Sequence, residues 1–346
     1  MRTSMIKFIM MHKKKQYKAL ALFSGGLDSL LAIKLIEQQG IKVIPVCFES
    51  PFFSCKKAVQ SAKQNNLFVH IVPLEQDYLE MIRNPKYGYG KNFNPCIDCH
   101  AFMYRKLGEM MEKFGADFLI SGEVLGQRPM SQQLNGMNAV AKLSGYKDLI
   151  VRPLSQKLLQ DTKPIREGWV DKELLLELQG RSRTPQIELA EKFGITEYPT
   201  PAGGCLLTDP GYSKRLKDLK QHDMFAKRFV TFLNVGRHFR LDDSTKLIIG
   251  RNQNDNEYMT VLLENNESQG NIVLKAKVIP GPTGIVQSRD EIVSDEILKL
   301  AAEIIVRYLS KVNDEAVVLM QLPDGEVKEI LTIKRTDGFE RKMLLN

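Results

Sequence analysis

Residues 21–29 read Ala-Leu-Phe-Ser-Gly-Gly-Leu-Asp-Ser. The apolar run 19–23 predicts a buried strand. Leu30, Leu31, Ile33, Leu35 and Ile36 then recur at helical spacing until Gly40 closes the helix. Ser24, Gly25, Gly26 and Asp28 therefore fall on the strand-to-helix turn. Two adjacent glycines let the backbone take conformations that a Cβ would forbid, so consecutive N–H groups can converge on an anion at the positive end of the helix. Ser24 and Ser29 add hydroxyls. The pattern is a phosphate cradle, but the Gly-Lys-Ser/Thr ending of a Walker loop is missing.

Beyond this turn, residues 42–48 predict a second buried strand, 56–66 a helix and 67–72 a third strand. Strands alternating with helices predict an α/β fold, a doubly wound parallel sheet with its ligand at the carboxyl ends of the strands. Phe48 ends the second strand, where it can flank an adenine or simply pack. The stretch 77–94, with Tyr87-Gly-Tyr-Gly90, reads as an active-site loop. A helix is expected over 99–114 and a strand over 117–121, with further helices near 172–178 and 185–193.

The Ser24-Gly-Gly-Leu-Asp-Ser29 string after a first strand resembles the PP-loop of the N-type ATP pyrophosphatases. That resemblance implies enzymes that split ATP between its α and β phosphates and transfer AMP to an oxygen. It implies that Ser24, Gly25, Gly26, Leu27, Asp28 and Ser29 hold ATP, with Asp28 positioning the nucleotide and its Mg2+. Phe102-Met-Tyr-Arg105, Ser121-Gly-Glu-Val-Leu-Gly-Gln127, Ser131-Gln132 and Val151-Arg-Pro-Leu154 look like the PP-loop domain of the tRNA 4-thiouridine synthetases, over residues 16–208. By that likeness Gly122 and Gln132 contact the nucleotide. Two departures stand out. His100 and Ala101 occupy positions where the family carries two arginines. In place of the expected ferredoxin-like and THUMP domains there is only a basic lead-in over residues 1–15.

Asn94-Pro-Cys-Ile-Asp-Cys-His100 puts Cys96 and Cys99 at a helix start, where the dipole favours thiolate. A haem attachment pattern, a thioredoxin-like dithiol, structural zinc completed by His100 and Cys205, and an iron–sulfur cluster all compete for these residues. Cys205, in Pro201-Ala-Gly-Gly-Cys-Leu-Leu207, adds a third thiol on a glycine-rich turn. An early Cys-x-x-Cys with one late Cys resembles the cluster-dependent branch of the tRNA thiolation enzymes. That likeness implies a [4Fe-4S] cluster held by Cys96, Cys99 and Cys205. In the cluster-free branch a related cysteine pair acts as nucleophile and persulfide carrier. Asp98, between the two thiols, is a candidate for orienting the target base or moving a proton. Its plainer reading is an exposed carboxylate at a helix start. Cys47 and Cys55 read as packing residues.

Past a turn at Asp209-Pro-Gly-Tyr212 and a linker over 209–224, the charge changes. Between positions 214 and 251 ten Lys and Arg stand against four Asp, in a chain of 346 residues with net charge +8 and pI about 9.1. Those cations lie beside Phe229, Phe232, His238 and Phe239, which suits a surface that tracks the RNA backbone and stacks its bases. A solvated basic helix followed by a core strand would give much the same list. Gly236-Arg-His-Phe-Arg240 and Lys246-Leu-Ile-Ile-Gly-Arg-Asn252 resemble the RNA-binding segment of NFACT proteins. The likeness implies a smaller α+β domain over 225–346 and RNA contacts at Arg237, His238, Arg240, Arg251 and Asn252.

The apolar fraction of 43% supports packed cores, and no run approaches a membrane span. Five cysteines at irregular spacing do not make a secreted disulfide framework, and no secretory leader is read at residues 5–11. A cytoplasmic enzyme is expected, with tRNA and a sulfide or persulfide donor as partners and no membrane. Its activity would be ATP-dependent tRNA uridine thiolation. A PP-loop ligase for a small molecule and a non-catalytic RNA or ribosome binder are the alternatives.

Overall fold

The computed structural model describes residues 15–198, 205–264, 270–310, 314–335 and 337–345. Most of the basic lead-in, and the Pro201 to Gly204 part of the third-thiol turn, lie outside that range. The chain divides into two compact units. The first comprises residues 1–48, 55–72 and 99–202, the second 49–54, 73–98 and 203–346.

In the first unit the strands are β1 (Lys18–Leu22), β2 (Lys42–Glu49), β3 (His70–Pro73), β4 (Phe118–Ser121) and β5 (Ile150–Val151), in the order β3-β2-β1-β4-β5. β1 pairs in parallel with β2 and β4, and β4 with β5. Because β2 and β3 lie on one side of β1 while β4 and β5 lie on the other, the order in which strands are added reverses between β1 and β4. That reversal opens a crevice at their carboxyl ends, where such folds bind ligands. Residue by residue, β1 is buried because strands flank it and helices cover it. Helix α1 (Leu27–Glu37) buries Leu30, Leu31, Ile33 and Ile36 against Ala19, Ala21, Phe118 and Ile120. The expected doubly wound α/β sheet is present.

Several local expectations change. The stretch 77–94 does contain an element: α2 (Lys56–Gln64) is followed by α3 (Gln76–Arg83), which buries Tyr78, Leu79 and Ile82 on one side. A helix expected near 172–178 is only a 3-10 turn, Lys172–Leu174. Leu176 and Leu178 instead donate their amides to the carbonyls of Pro153 and Leu154, so this apolar run is extended and prolongs the β5 edge. The chain then forms α4 (Cys96–Glu109), α5 (Leu134–Ser144) and α6 (Thr184–Lys192). Cys47 and Cys55, read as packing residues, are both buried and joined in a disulfide with Cα atoms 6.0 Å apart.

The second unit is built on a six-stranded antiparallel sheet. Its strands are β6 (Arg237–Arg240), β7 (Thr245–Ile249), β8 (Asn271–Ala276), β9 (Gly284–Ser288), β10 (Glu315–Gln321) and β11 (Val327–Ile333), in the order β11-β10-β8-β9-β7-β6. Residues 209–224 are no loose linker. They carry α7 (Pro210–Gln221), whose first turn is capped by Asp209 accepting from the Tyr212 amide at 2.6 Å. Helix α8 (Gln253–Glu264) follows β7, and α9 (Asp295–Arg307) packs Leu298, Ala301, Ile304 and Ile305 on the sheet.

Buried charge ties α7 to this sheet. The Asp218 carboxylate accepts from Arg240 through both Nε and the adjacent terminal nitrogen, with Lys246 Nζ 3.4 Å away. Burial opposes ionisation of Asp218, but Arg240 and Lys246 outweigh it and hold the carboxyl below its ordinary value. Lys246 is wholly buried, and desolvation pulls its ammonium down to about 7 despite the Asp218 charge. Between pH 7 and about 10.4, the ordinary lysine value, the unfolded chain binds more protons at this side chain than the folded one. Stability from this group therefore rises with pH across that window. Lys246→Met, which leaves Asp218 paired with Arg240, should raise the melting temperature most at pH 7 and below. The advantage should shrink towards pH 10, as thermal denaturation in a pH series would measure.

Candidate adenylation site and thiols

The turn between β1 and α1 is shaped by two close approaches. Gly25 has φ +77°, and a Cβ there would lie 2.6 Å from Ala58 Cα in α2. Gly122, just past β4, would bring a Cβ within 2.4 Å of the Asp28 carbonyl. Both positions require glycine. No side chain caps α1 at Gly26, so its leading amides stay available to an anion. Ser24 Oγ accepts weakly from the Gly26 amide at 3.4 Å, while the Ser29 hydroxyl donates to the Gly26 carbonyl at 2.7 Å. Ser29 thus braces the turn, and Leu27 is buried beneath it. Asp28 Oδ2 accepts from Gln127 Nε2 at 3.0 Å, whereas Oδ1 is buried with no hydrogen-bond partner. Desolvation raises the Asp28 pKa; Gln127 and the nearby Arg183 and Arg128 oppose it.

The residue after Gly122 does different work. Glu123 is 5% exposed and takes Arg152 Nε at 2.8 Å, Tyr104 Oη at 2.9 Å and His100 Nδ1 at 2.8 Å. Burial disfavours its charge, but Arg152 and His100 more than compensate and hold the carboxyl well below the usual range. His100, standing where the resembled family has an arginine, is therefore a ligand of Glu123. Sequence reading passed over this network because its members are scattered through the chain. The Val151-Arg-Pro-Leu154 motif was its visible end. Gln132, expected at the nucleotide, is 6% exposed with Oε1 buried and unpartnered. Phe48 is 4% exposed at the end of β2.

Cys96 and Cys99 occupy the first turn of α4, and Cys96 Sγ accepts from Asn94 Nδ2 at 3.2 Å. Burial pushes the Cys205 thiol up to about 11, with the Leu207 amide opposing and Cys96 adding to the rise. All three remain thiols. Among the described residues no three His, Cys, Asp or Glu side chains are gathered as a metal-holding group. As a donor set, three thiols suit a soft, thiophilic centre such as an iron–sulfur cluster. Asp98 corrects the expectation of an exposed, available acid: it is 3% exposed and accepts the amides of Lys86 at 2.7 Å and Tyr87 at 3.0 Å. Its carboxylate clamps the glycine-rich stretch after α3, which leaves it poorly placed for proton transfer.

The candidate RNA residues also sort by burial. His238 is 1% exposed and donates Nε2–H to the Val235 carbonyl, and burial drives its pKa well below the ordinary value. Arg240 is committed to Asp218. Phe229, Phe232 and Phe239 are core residues. None of these can stack on a base, because they are buried in the second unit's core or held by a buried partner. Arg237 lies over the Tyr308 ring at 4.9 Å, exposed Arg251 pairs with Asp255, and exposed Asn252 Oδ1 accepts the Asp255 amide at 2.9 Å.

Against this geometry, two segments of the chain match family models. Residues 14–158 match the thiamine biosynthesis protein (ThiI) family, and residues 236–341 the NFACT protein RNA binding domain. The chain thus carries one segment similar to the ThiI family and another similar to the NFACT RNA binding domain. A probable tRNA sulfurtransferase of Methanosarcina mazei is 32% identical over 126 residues, covering 32% of this chain and 29% of that protein. One from Thermococcus kodakarensis is 32% identical over 145 residues, 40% of this chain and 37% of that protein. The chain thus spans about a third of the length of these curated relatives. The solved U34-tRNA thiolase NcsA of Methanococcus maripaludis, determined with its [4Fe-4S] cluster, aligns over 64% of this chain and 73% of its own at 15% identity and TM-score 0.29, too loose a likeness to place residues by. Among the described residues no helix is long and apolar enough to cross a membrane.

Glu123→Gln keeps the shape but strands Arg152 in the interior. It should destabilise the protein by about 3–5 kcal/mol, read by urea unfolding at pH 7. Because the folded carboxyl is depressed, its contribution is complete above about 4.3, the unfolded value, and fades as pH falls below it. The gap between variant and wild type should narrow accordingly in acid.

Proposed function

We propose that this protein is an ATP-dependent tRNA thiolase that adenylates a uridine carbonyl oxygen and replaces it with sulfur. The observation that carries this is the uncapped α1 turn at the β1/β4 crevice, with Asp28 aimed by Gln127 and backed by Gly122. The uridine oxygen attacks the α phosphate of ATP, the α–β bridging bond breaks, and pyrophosphate leaves. Loop amides of Gly25, Gly26 and Leu27 hold the charge that collects on the leaving group, and Asp28 would hold a Mg2+ that supplies further positive charge there. Sulfide, supplied as such or released from a persulfide donor by a reducing thiol, then displaces AMP. Cys96, Cys99 and Cys205 would hold a [4Fe-4S] cluster, whose thiophilic chemistry would serve sulfur delivery. The substrate base must be splayed out of the tRNA to react. Arg237, Arg251 and Asn252 of the NFACT-type domain would contact the surrounding RNA.

Asp28→Ala should leave the melting temperature nearly unchanged while abolishing tRNA-dependent AMP formation. Unchanged turnover by the folded variant would remove the PP-loop assignment. ATP–pyrophosphate exchange with and without tRNA separates a thiolase from a small-molecule ligase, which needs no tRNA, and from an RNA binder, which gives no exchange.

For the thiols, protein purified without oxygen should be brown with about four irons per chain. Ser at position 96, 99 or 205 should each lower iron content and stop thiolation. Colourless, iron-free and active protein would leave the cysteines as a catalytic pair.

A further inference from the structure

The Asp28 carboxylate has neighbours that the PP-loop motif does not account for. They reach it along a path built by main chain. Leu125, in the Gly122–Gln127 segment, forms a parallel bridge with Gln179, and the Gly180 amide donates to the Leu125 carbonyl at 2.8 Å. Gly126, at φ +76°, lets Gly180 approach to where a Cβ would lie 3.4 Å from its nitrogen. The chain then enters α6, which packs against α1. Arg183 is the residue that precedes α6, and Gln186 lies in its first turn. The docking of 179–180 on 125–126 thus brings two polar side chains to the mouth of the PP-loop.

Neither side chain is satisfied there. Gln186 is 1% exposed, yet neither its Nε2 nor its Oε1 completes a hydrogen bond, although its amide lies near enough to favour the Asp28 carboxylate. Arg183 Nε is buried without an acceptor, and its guanidinium acts on Asp28 only through space. Asp28 Oδ1 and Gln127 Oε1 are likewise buried and unpartnered. Each buried unpartnered group costs about 1–3 kcal/mol, and folded proteins hold few of them. Four residues in one cluster mark a surface built to meet a polar ligand. A guanidinium calls for a planar oxyanion acceptor, and the anion that the adjoining loop amides are arranged for is a phosphate chain.

We propose that Arg183 and Gln186 form a second, phosphate-facing wall of the nucleotide site, with Arg183 donating to a phosphoryl oxygen of ATP and Gln186 completing its polar lining. This rests on the nucleotide reading of the PP-loop given above and extends it to residues outside that motif. Arg128, next to Gln127 in sequence, also favours the charged form of Asp28. The adenosine end of the ligand has no part in these contacts. Discrimination between a phosphorylated and an unphosphorylated nucleoside is therefore the property these residues confer.

The test uses the full chain without tRNA. Calorimetric titration with ATP and Mg2+ is compared with titration by adenosine, for wild type, Asp28→Ala, Arg183→Gln and Gln186→Leu. Arg183→Gln should weaken ATP by about 10- to 100-fold, the scale of a charge-assisted hydrogen bond, and leave adenosine unchanged. Gln186→Leu removes two buried unpartnered atoms, so its unliganded melting temperature should hold or rise while ATP binding falls. A merely structural amide would lose stability instead. Wild-type ATP affinity in Arg183→Gln, or an equal loss of ATP and adenosine, overturns the phosphate wall while the PP-loop stands, provided Asp28→Ala still weakens ATP. Failure of the wild type itself to bind ATP overturns the wall and the proposed activity together.

Discussion

The contact between Gly122 and the Asp28 backbone is the constraint on which the site depends. β1 and β4 are hydrogen-bonded neighbours, and their chains diverge just where this contact falls. At 2.4 Å from a Cβ, no side chain but hydrogen fits, and the segment after β4 is forced across the mouth of the PP-loop. From that one approach two side chains separate. Glu123 turns inward to Arg152, Tyr104 and His100, while Gln127 turns outward to Asp28. The inward set fixes the strand end, and the outward residue aims the carboxylate. Gly25 on Ala58 holds the other wall of the loop in the same way.

This arrangement divides electrostatic roles cleanly. Glu123 is charged because a buried cation balances it, and its neighbours leave it little spare capacity for chemistry. Asp28 is the opposite case. Burial pushes its pKa up, one oxygen is satisfied by an amide and the other by nothing. A carboxylate so placed gains most from a cation arriving with the nucleotide, which is the property an adenylating site needs.

What was legible in the sequence was local. The strand, glycine turn and helix of 19–40 follow from periodicity and from two adjacent glycines, and the parallel sheet from the alternation of elements. The Glu123 network was not legible, because His100, Tyr104, Glu123 and Arg152 meet only once β4 and β5 are paired and α4 has packed on them. Residues 172–178 misled for a related reason. Their leucines suit either period, and the carbonyls of Pro153 and Leu154 chose the extended one. Arg183 and Gln186 carried no motif at all, and only the docking of Gly180 on Gly126 brings them to Asp28.

The second unit shows how burial decides between two readings of one basic stretch. Counted along the chain, residues 214–251 are strongly basic and interleaved with aromatics, which reads as a stacking platform for bases. Asp218 belongs to α7, and it draws Arg240 and Lys246 inward as its partners. Phe229, Phe232, His238 and Phe239 are buried as well. What remains at the surface is Lys214, Lys217, Lys227, Arg228, Arg251 and Asn252, with Arg215, Lys220 and Arg237 half-buried. Such a set of exposed side chains is rich in charge and poor in aromatic planes. An RNA held on it would be gripped through phosphates, with affinity governed by salt and little preference among bases. On the proposed function, choice of the uridine would then fall to the shape of the folded RNA and to the PP-loop site itself.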